Sequence, residues 1–172
     1  YSSAASDVYK RQREYIAALE KEGELVRIRK EVDWNLEIGA IIRRSYDLKA
    51  PAPLFENIKG YPRGLRILGA PIGLSQRPGR SLARLAISMG LSPEASFHEI
   101  IEGYIARKKK PLRPAVVDSG PCKENIYLGN QVNLLNLPIP FFHQGDGGRY
   151  IGTWHIVATK DPDTNWVNWG MY

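Results

Sequence analysis

Helix signals stop at Pro111, and this break constrains the fold more than any other feature of the chain. Beyond it, Leu137-Pro138-Ile139-Pro140 must run extended, because each proline pushes its predecessor out of the helical region. Before it, helical and strand patterns alternate. Residues 13–22 put Tyr15, Ile16 and Leu19 on one helical face and stop at Gly23. Residues 24–29 alternate apolar with charged, which predicts a half-buried strand. A second helix is expected over 36–48, capped by Asn35, with Ile38, Ile41 and Ile42 on one side. Short strands are expected over 54–58 and 66–70, and a helix over 81–89 that ends at Gly90. The capping box Ser96-Phe97-His98-Glu99 opens a last helix, which runs to about Lys109.

After the break the pattern is β-rich. Gln144-Gly145-Asp146-Gly147-Gly148 reads as a flexible loop. Residues 150–160 and 166–172 read as two strands joined by the turn Asp161-Pro162-Asp163-Thr164-Asn165. The expected organisation is a leader foreign to the fold over 1–12, an α/β (α+β) domain over 13–115, and the opening of a β-rich domain over 116–172. The leader is set apart because the only methionines are Met89 and Met171 and because residues 1–12 carry no folding pattern.

Bulk properties narrow the setting. Hydrophobic content of 43% and charged content of 24% are those of a globular protein. No apolar run approaches the ~20 residues that cross a bilayer, so stable membrane insertion is not expected. The single cysteine, Cys122, cannot form an intrachain disulfide and fits a reducing, cytoplasmic setting. The net charge of +6 raises nucleic-acid binding as a possibility. Its only cluster, Arg107-Lys108-Lys109-Lys110-Pro111-Leu112-Arg113, follows a helical pattern and lacks aromatics for base stacking. Complementing the negative end of the helix dipole is the better reading, so no nucleic-acid partner is expected.

The residues with chemical potential lie near the end of the chain. In the last strand Trp166, Asn168, Gly170 and Tyr172 share one face, and Val167, Trp169 and Met171 the other. Asparagine is disfavoured in strands, and its amide oxygen is a hard neutral ligand for Mg²⁺ or Mn²⁺. Gly170 would let a flat ligand or a phosphate approach the backbone. Spacing alone favours a simpler account, in which Asn168 pairs with backbone at a bulge and Gly170 relieves crowding. His98, His143 and His155 lack zinc-ligand spacing, and Cys122 has no histidine nearby in sequence. The Gln-Gly-Asp-Gly-Gly loop does not run into a helix, so it matches no phosphate-binding fingerprint.

An ordered series of segments resembles one family. These are Gly23-Glu24-Leu25-Val26-Arg27-Ile28, Leu54-Phe55-Glu56-Asn57-Ile58-Lys59-Gly60, Arg66-Ile67-Leu68-Gly69-Ala70-Pro71, Asn133-Leu134 to Pro140, Gly147-Gly148-Arg149-Tyr150, Asp161-Pro162-Asp163 and Asn168-Trp169-Gly170-Met171-Tyr172. Together they are similar to the N-terminal third of UbiD-family decarboxylases. The resemblance implies a split β-barrel flavin-binding domain beginning near residue 116. It implies a reversible, non-oxidative carboxy-lyase acting on aromatic, more specifically phenolic, or α,β-unsaturated carboxylic acids. The implied cofactors are prenylated FMN, Mn²⁺ (or Mg²⁺) and K⁺. The implied partners are a flavin prenyltransferase and further copies in a homo-oligomer.

By the same resemblance Asn168 would bind the metal that bridges to the flavin phosphate. Gly170, Met171 and Tyr172 would line the cofactor, and the Trp169 carbonyl would contact potassium. The family's catalytic arginine would follow Tyr172, with the catalytic carboxylates and the metal-binding histidine and glutamate further on. Asp146, Glu124, His143 and His155 are not assigned to those roles. The chain alone is therefore expected to be inactive. Two rival readings are a split-barrel FMN reductase, which would need Arg, Ser or Thr phosphate clusters, and a basic nucleic-acid module built on residues 107–113.

Overall fold

The computed structural model describes residues 12–109, 115–120, 123–152 and 155–171. The first part is a small three-stranded sheet between two helical layers. Helix α1 (Gln12–Lys21) ends at Gly23, whose φ of 68° lets the Glu24 N–H return to the Leu19 carbonyl at 2.8 Å. Strand β1 (Leu25–Ile28) follows, then α2 (Glu37–Asp47) and β2 (Ala52–Phe55). The two strands pair in parallel, from Leu25 with Ala52 to Ile28 with Phe55, so β1–α2–β2 is a crossover unit. Strand β3 (Ile67–Leu68) adds antiparallel to the other side of β2, giving the order β1-β2-β3.

Side chains alternate across this sheet and divide the core in two. Leu25, Ala52 and Leu68 face α1 and α3 (Ala83–Ser88), packing with Ala18, Leu19, Ala83 and Ile87. Ile28, Phe55 and Ile67 face α2, packing with Val32, Ile38, Ile41 and Ile42. All four residues of β2 are buried, as expected of a central strand covered on both sides. Helix α4 (Phe97–Lys108) opens on the expected capping box: Ser96 Oγ accepts from the Glu99 N–H, and Glu99 Oε2 accepts from the Ser96 N–H. After α4 the described chain makes two short 3₁₀ turns, Gly129–Gln131 and Leu134–Asn136, and then an antiparallel hairpin of β4 (Ile156–Lys160) and β5 (Val167–Met171).

Several local expectations are corrected. The strand expected over 54–58 lies at Ala52–Phe55 and contains Pro53. Proline is tolerated there because β2 donates to β1 through its even-numbered residues, as Ala52 does to the Glu24 carbonyl. Pro53 faces β3 at the end of the ladder, where its carbonyl accepts from the Gly69 N–H. Asn35 does not cap α2. Its own N–H goes to Asp33 Oδ1, and it bridges to Phe141, so Leu36 takes the cap position at φ 66°. The strand expected over 150–160 is confined to Ile156–Lys160 among the described residues, and His155 precedes it rather than lying within it. The chain bends at Ile151, and the His155 ring lies against Gly152 so closely that a Cβ there would overlap it. Finally, the alternation over residues 24–29 does not predict exposure: Glu24 is 1% exposed and Val26 is 46% exposed.

Candidate functional site

The β4–β5 hairpin carries most of the candidate site. Its register sets Asn168 opposite Thr159 and Gly170 opposite Val157, so these four residues share a face. Asn168, Gly170 and Val157 are half-buried, while Thr159 is exposed. The other face presents Ile156, Val167, Trp169 and Met171, with Trp169 70% exposed. The structure therefore brings Asn168 and Gly170 together, as the alternation predicts, and directs the Trp169 and Met171 side chains to the opposite side. Tyr172 lies outside the described residues, as do Cys122, Thr153, Trp154 and residues 110–114.

The turn that sets this register is held by one carboxylate. Asp161 Oδ1 accepts from the N–H groups of Thr164 at 2.7 Å and Asp163 at 2.9 Å. Those backbone bonds hold its carboxyl below the ordinary aspartate value. The Asp161 N–H donates to the Trp166 carbonyl at 3.0 Å and closes the loop. Asn168 is thus fixed in register by the turn rather than sitting at a bulge: Thr159–Asn168 lies inside an unbroken ladder of five pairs.

The segment before the hairpin is built onto the first domain. The Phe141 N–H donates to the Trp34 carbonyl at 3.0 Å, and the Leu36 N–H donates to the Phe141 carbonyl at 2.9 Å. Arg149 stacks on Trp34, 4.0 Å from the ring centroid, and lies 5.8 Å from the centre of Tyr61. Its Nε donates to the Ile139 carbonyl at 2.6 Å and its Nη2 to the Tyr61 hydroxyl at 2.5 Å. Tyr61 in turn donates to the Leu135 carbonyl at 3.0 Å. Sequence reasoning missed this clasp. The four residues Gly147 to Tyr150 stood out only as a motif, and nothing local identified the Tyr61 ring, 88 residues upstream, or the still more distant Trp34 ring.

A cavity of about 470 Å³ opens beside the clasp, between α2 and the edge of β3 on one side and Phe142, His143, Asp146 and Tyr150 on the other. His143 Nδ1 is 3.5 Å from Asp146 Oδ2 at its rim. None of Asn168, Trp169, Gly170 or Met171 lines it. Among the described residues no three His, Cys, Asp or Glu side chains gather to hold a metal. His98 is exposed on the first turn of α4. In the basic run, Arg107 is committed to the Met89 and Gly103 carbonyls, at 2.7 and 3.1 Å, while Lys108 and Lys109 are exposed.

A second unpredicted cluster lies in the first domain. Arg84 is 1% exposed, and its guanidinium donates to the carbonyls of Gly73, Ala70 and Leu74. It stands 3.8 Å from the buried Glu24 carboxylate, which also accepts from Ser75 Oγ at 2.8 Å. Tyr15 directs its hydroxyl at the Pro71 carbonyl, 2.6 Å away, with the Arg84 carbonyl at 2.9 Å. Burial, reinforced by Glu24 against the opposing effect of Arg84, raises the Tyr15 phenol to about 12. The cluster fixes the loop after β3 and is remote in sequence from the hairpin. A charged residue beginning an alternating strand gave no sign of it.

Comparison with known proteins adds an independent line. Residues 16–103 match the 3-octaprenyl-4-hydroxybenzoate carboxy-lyase N-terminal domain, and residues 115–172 match the Rift-related domain of the same carboxy-lyase. The pyrrole-2-carboxylic acid decarboxylase of Pseudomonas aeruginosa is 42% identical over 160 residues, covering 92% of this chain and 32% of that protein. Among solved structures, the vanillic acid decarboxylase of Sedimentibacter hydroxybenzoicus superposes with a TM-score of 0.77 at 34% identity, over 96% of this chain and 35% of its own. An evolved dimeric form of the UbiD-class enzyme HmfF from Pelotomaculum thermopropionicum, solved in complex with prFMN, gives a TM-score of 0.67 at 30% identity, over 92% of this chain and 34% of its own. The chain spans about a third of the length of the proteins it matches.

Proposed function

The chain belongs to the UbiD family of carboxy-lyases, and on that premise we propose that it is the N-terminal third of a decarboxylase of aromatic, more specifically phenolic, or α,β-unsaturated carboxylic acids. The observation that carries the reading is the half-buried Asn168, held in register by the Asp161 turn and sharing a face with Gly170. The relatives' substrates, pyrrole-2-carboxylic acid and vanillic acid, are aromatic acids and support the substrate class. In this reading residues 13–115 form an α/β domain and residues 116–172 open a split β-barrel that receives prenylated FMN.

The donor set fits a cation beside a flavin phosphate, in part. A phosphate monoester is close to a dianion, and burying it beside one neutral amide would cost several kcal/mol. A divalent cation offsets that charge, and an amide oxygen suits Mn²⁺ or Mg²⁺. Asn168 supplies that oxygen, and the Trp169 carbonyl is the candidate for K⁺. Gly170, Met171 and Tyr172 would border the cofactor. The remaining metal ligands and the proton-transfer groups would come from further chain, so the 172 residues alone are inactive in this reading. When bound, prenylated FMN supplies the electron sink for loss of CO₂. The residues of this chain hold and orient it.

Replacing Asn168 by Ala in the full-length protein, made together with a flavin prenyltransferase, tests the assignment. Metal analysis and flavin absorbance should show loss of Mn²⁺ and weaker flavin retention. Unchanged occupancy of both would make Asn168 a structural residue only.

A further inference from the structure

We propose that Arg149 is a positioning residue for the flavin edge: it docks the chain that leads into β4 onto the first domain and so sets where Asn168 stands. The proposal rests on the flavin-site reading above.

The receiving surface is anchored in the core of the first domain. Trp34 and Tyr61 both pack against the buried cluster of Val32, Ile38, Phe55 and Ile58. Between these rings the guanidinium is stacked on Trp34 and bonded through two different nitrogens to the Ile139 carbonyl and the Tyr61 hydroxyl. A cation stacked on the indole face is attracted by the ring quadrupole, the more so where it is desolvated. Bonds from an ionised donor are about twice as strong as neutral ones. A lysine ammonium cannot lie flat on the indole while serving both acceptors, so the site is specific for the planar fork.

The clasp also closes a loop of structure. Arg149 reaches back to Ile139, and Phe141, two residues on, is bonded through its N–H to the Trp34 carbonyl and through its carbonyl to the Leu36 N–H. Leu36 accepts a φ of 66° there, a conformation a leucine rarely adopts, and its N–H is the one bonded to Phe141. Two ties from separate points of the 135–149 segment therefore converge on one patch of the first domain. From Arg149 the chain reaches β4 within seven residues, at Ile156, whose ladder partner is Met171. Arg149 therefore ties the chain to the first domain a few residues before the hairpin begins. A shift of the clasp would displace Asn168 and Gly170 together, without altering either residue.

The test titrates the full-length apo protein with FMN in the presence of Mn²⁺, following quenching of flavin fluorescence. Wild type is compared with Arg149→Ala, Arg149→Lys and Asn168→Ala. Loss of the clasp predicts a loss of FMN affinity on the order of tenfold for Arg149→Ala, with partial recovery for Arg149→Lys. Hydrogen exchange at the Leu36 and Phe141 amides reports whether the clasp has opened. Opened amides with FMN affinity within about twofold of wild type would overturn the proposal and leave Arg149 a packing residue. If Arg149→Ala does not fold, Arg149→Lys decides: weakened FMN binding supports the proposal, and wild-type affinity overturns it. Weakened binding by Asn168→Ala with none by either Arg149 variant sinks this inference alone. A wild-type protein that binds no FMN sinks the flavin-site reading and this inference with it.

Discussion

At the scale of single residues, position decides effects that residue type would assign the other way. Gly39 lies inside α2, where alanine ordinarily stabilises a helix by about 1 kcal/mol. Here a Cβ would stand 2.4 Å from the Phe142 carbonyl oxygen, which is backbone and cannot swing aside. Gly39→Ala is therefore expected to destabilise by roughly 1–3 kcal/mol, read from the urea midpoint. A stabilised variant would mean that the 141–142 segment does not pack on α2. Asn168 shows the limits of the sequence at this scale. Its face and its neighbour Gly170 were legible, because strand alternation is local. Its role was not, since an isolated asparagine is as consistent with a bulge as with a ligand, and the resemblance of the whole series was needed to favour one. Arg149 was opaque for a different reason: what it binds is determined by tertiary packing, and a cation carries no local mark of the ring it will stack on.

At the scale of elements, local bonds are legible in the sequence and long-range burial is not. The capping box of α4 and the stop at Gly23 follow from bonds within a few residues, and they appear as expected. The buried Glu24–Arg84–Tyr15 cluster depends on α1, β1 and α3 meeting, which no window of sequence contains. It makes the assembly of these elements sensitive to alkali. Below pH 10 the Tyr15 phenol is protonated in both folded and unfolded chains and costs nothing. Between pH 10 and about 12 the unfolded chain ionises and the folded one resists, so stability falls through that window. The expected loss is up to about 2 kcal/mol between pH 9 and 11.5. Tyr15→Phe should start less stable by about 1 kcal/mol but show a shallower decline than wild type. Equal slopes in the two proteins would place the alkaline sensitivity elsewhere.

At the scale of the whole molecule the two halves differ in kind. The first has a divided core on both sides of a sheet, whereas among the described residues after 115 the large apolar side chains are mostly exposed, from Val116 at 96% to Trp169 at 70%. Ile139, at 8% exposed, and the half-buried Phe141 and Phe142 are among the exceptions, and they belong to the segment docked on the first domain. Limited proteolysis of the 172-residue chain should therefore cut first within 115–132 or 161–166 and leave residues 12–109 intact, as followed by mass spectrometry. Early cleavage inside α2 or β2 would contradict this order. The change of character at Pro111 announced two regions; that the second borrows its order from the first could not be seen without Trp34, Tyr61 and Arg149 in one place. The sheet of the first domain also closes on a one-way bond: β3 contributes only two residues to its pairing, and at the end of the ladder the Pro53 carbonyl accepts from the Gly69 N–H while the proline has no hydrogen to return.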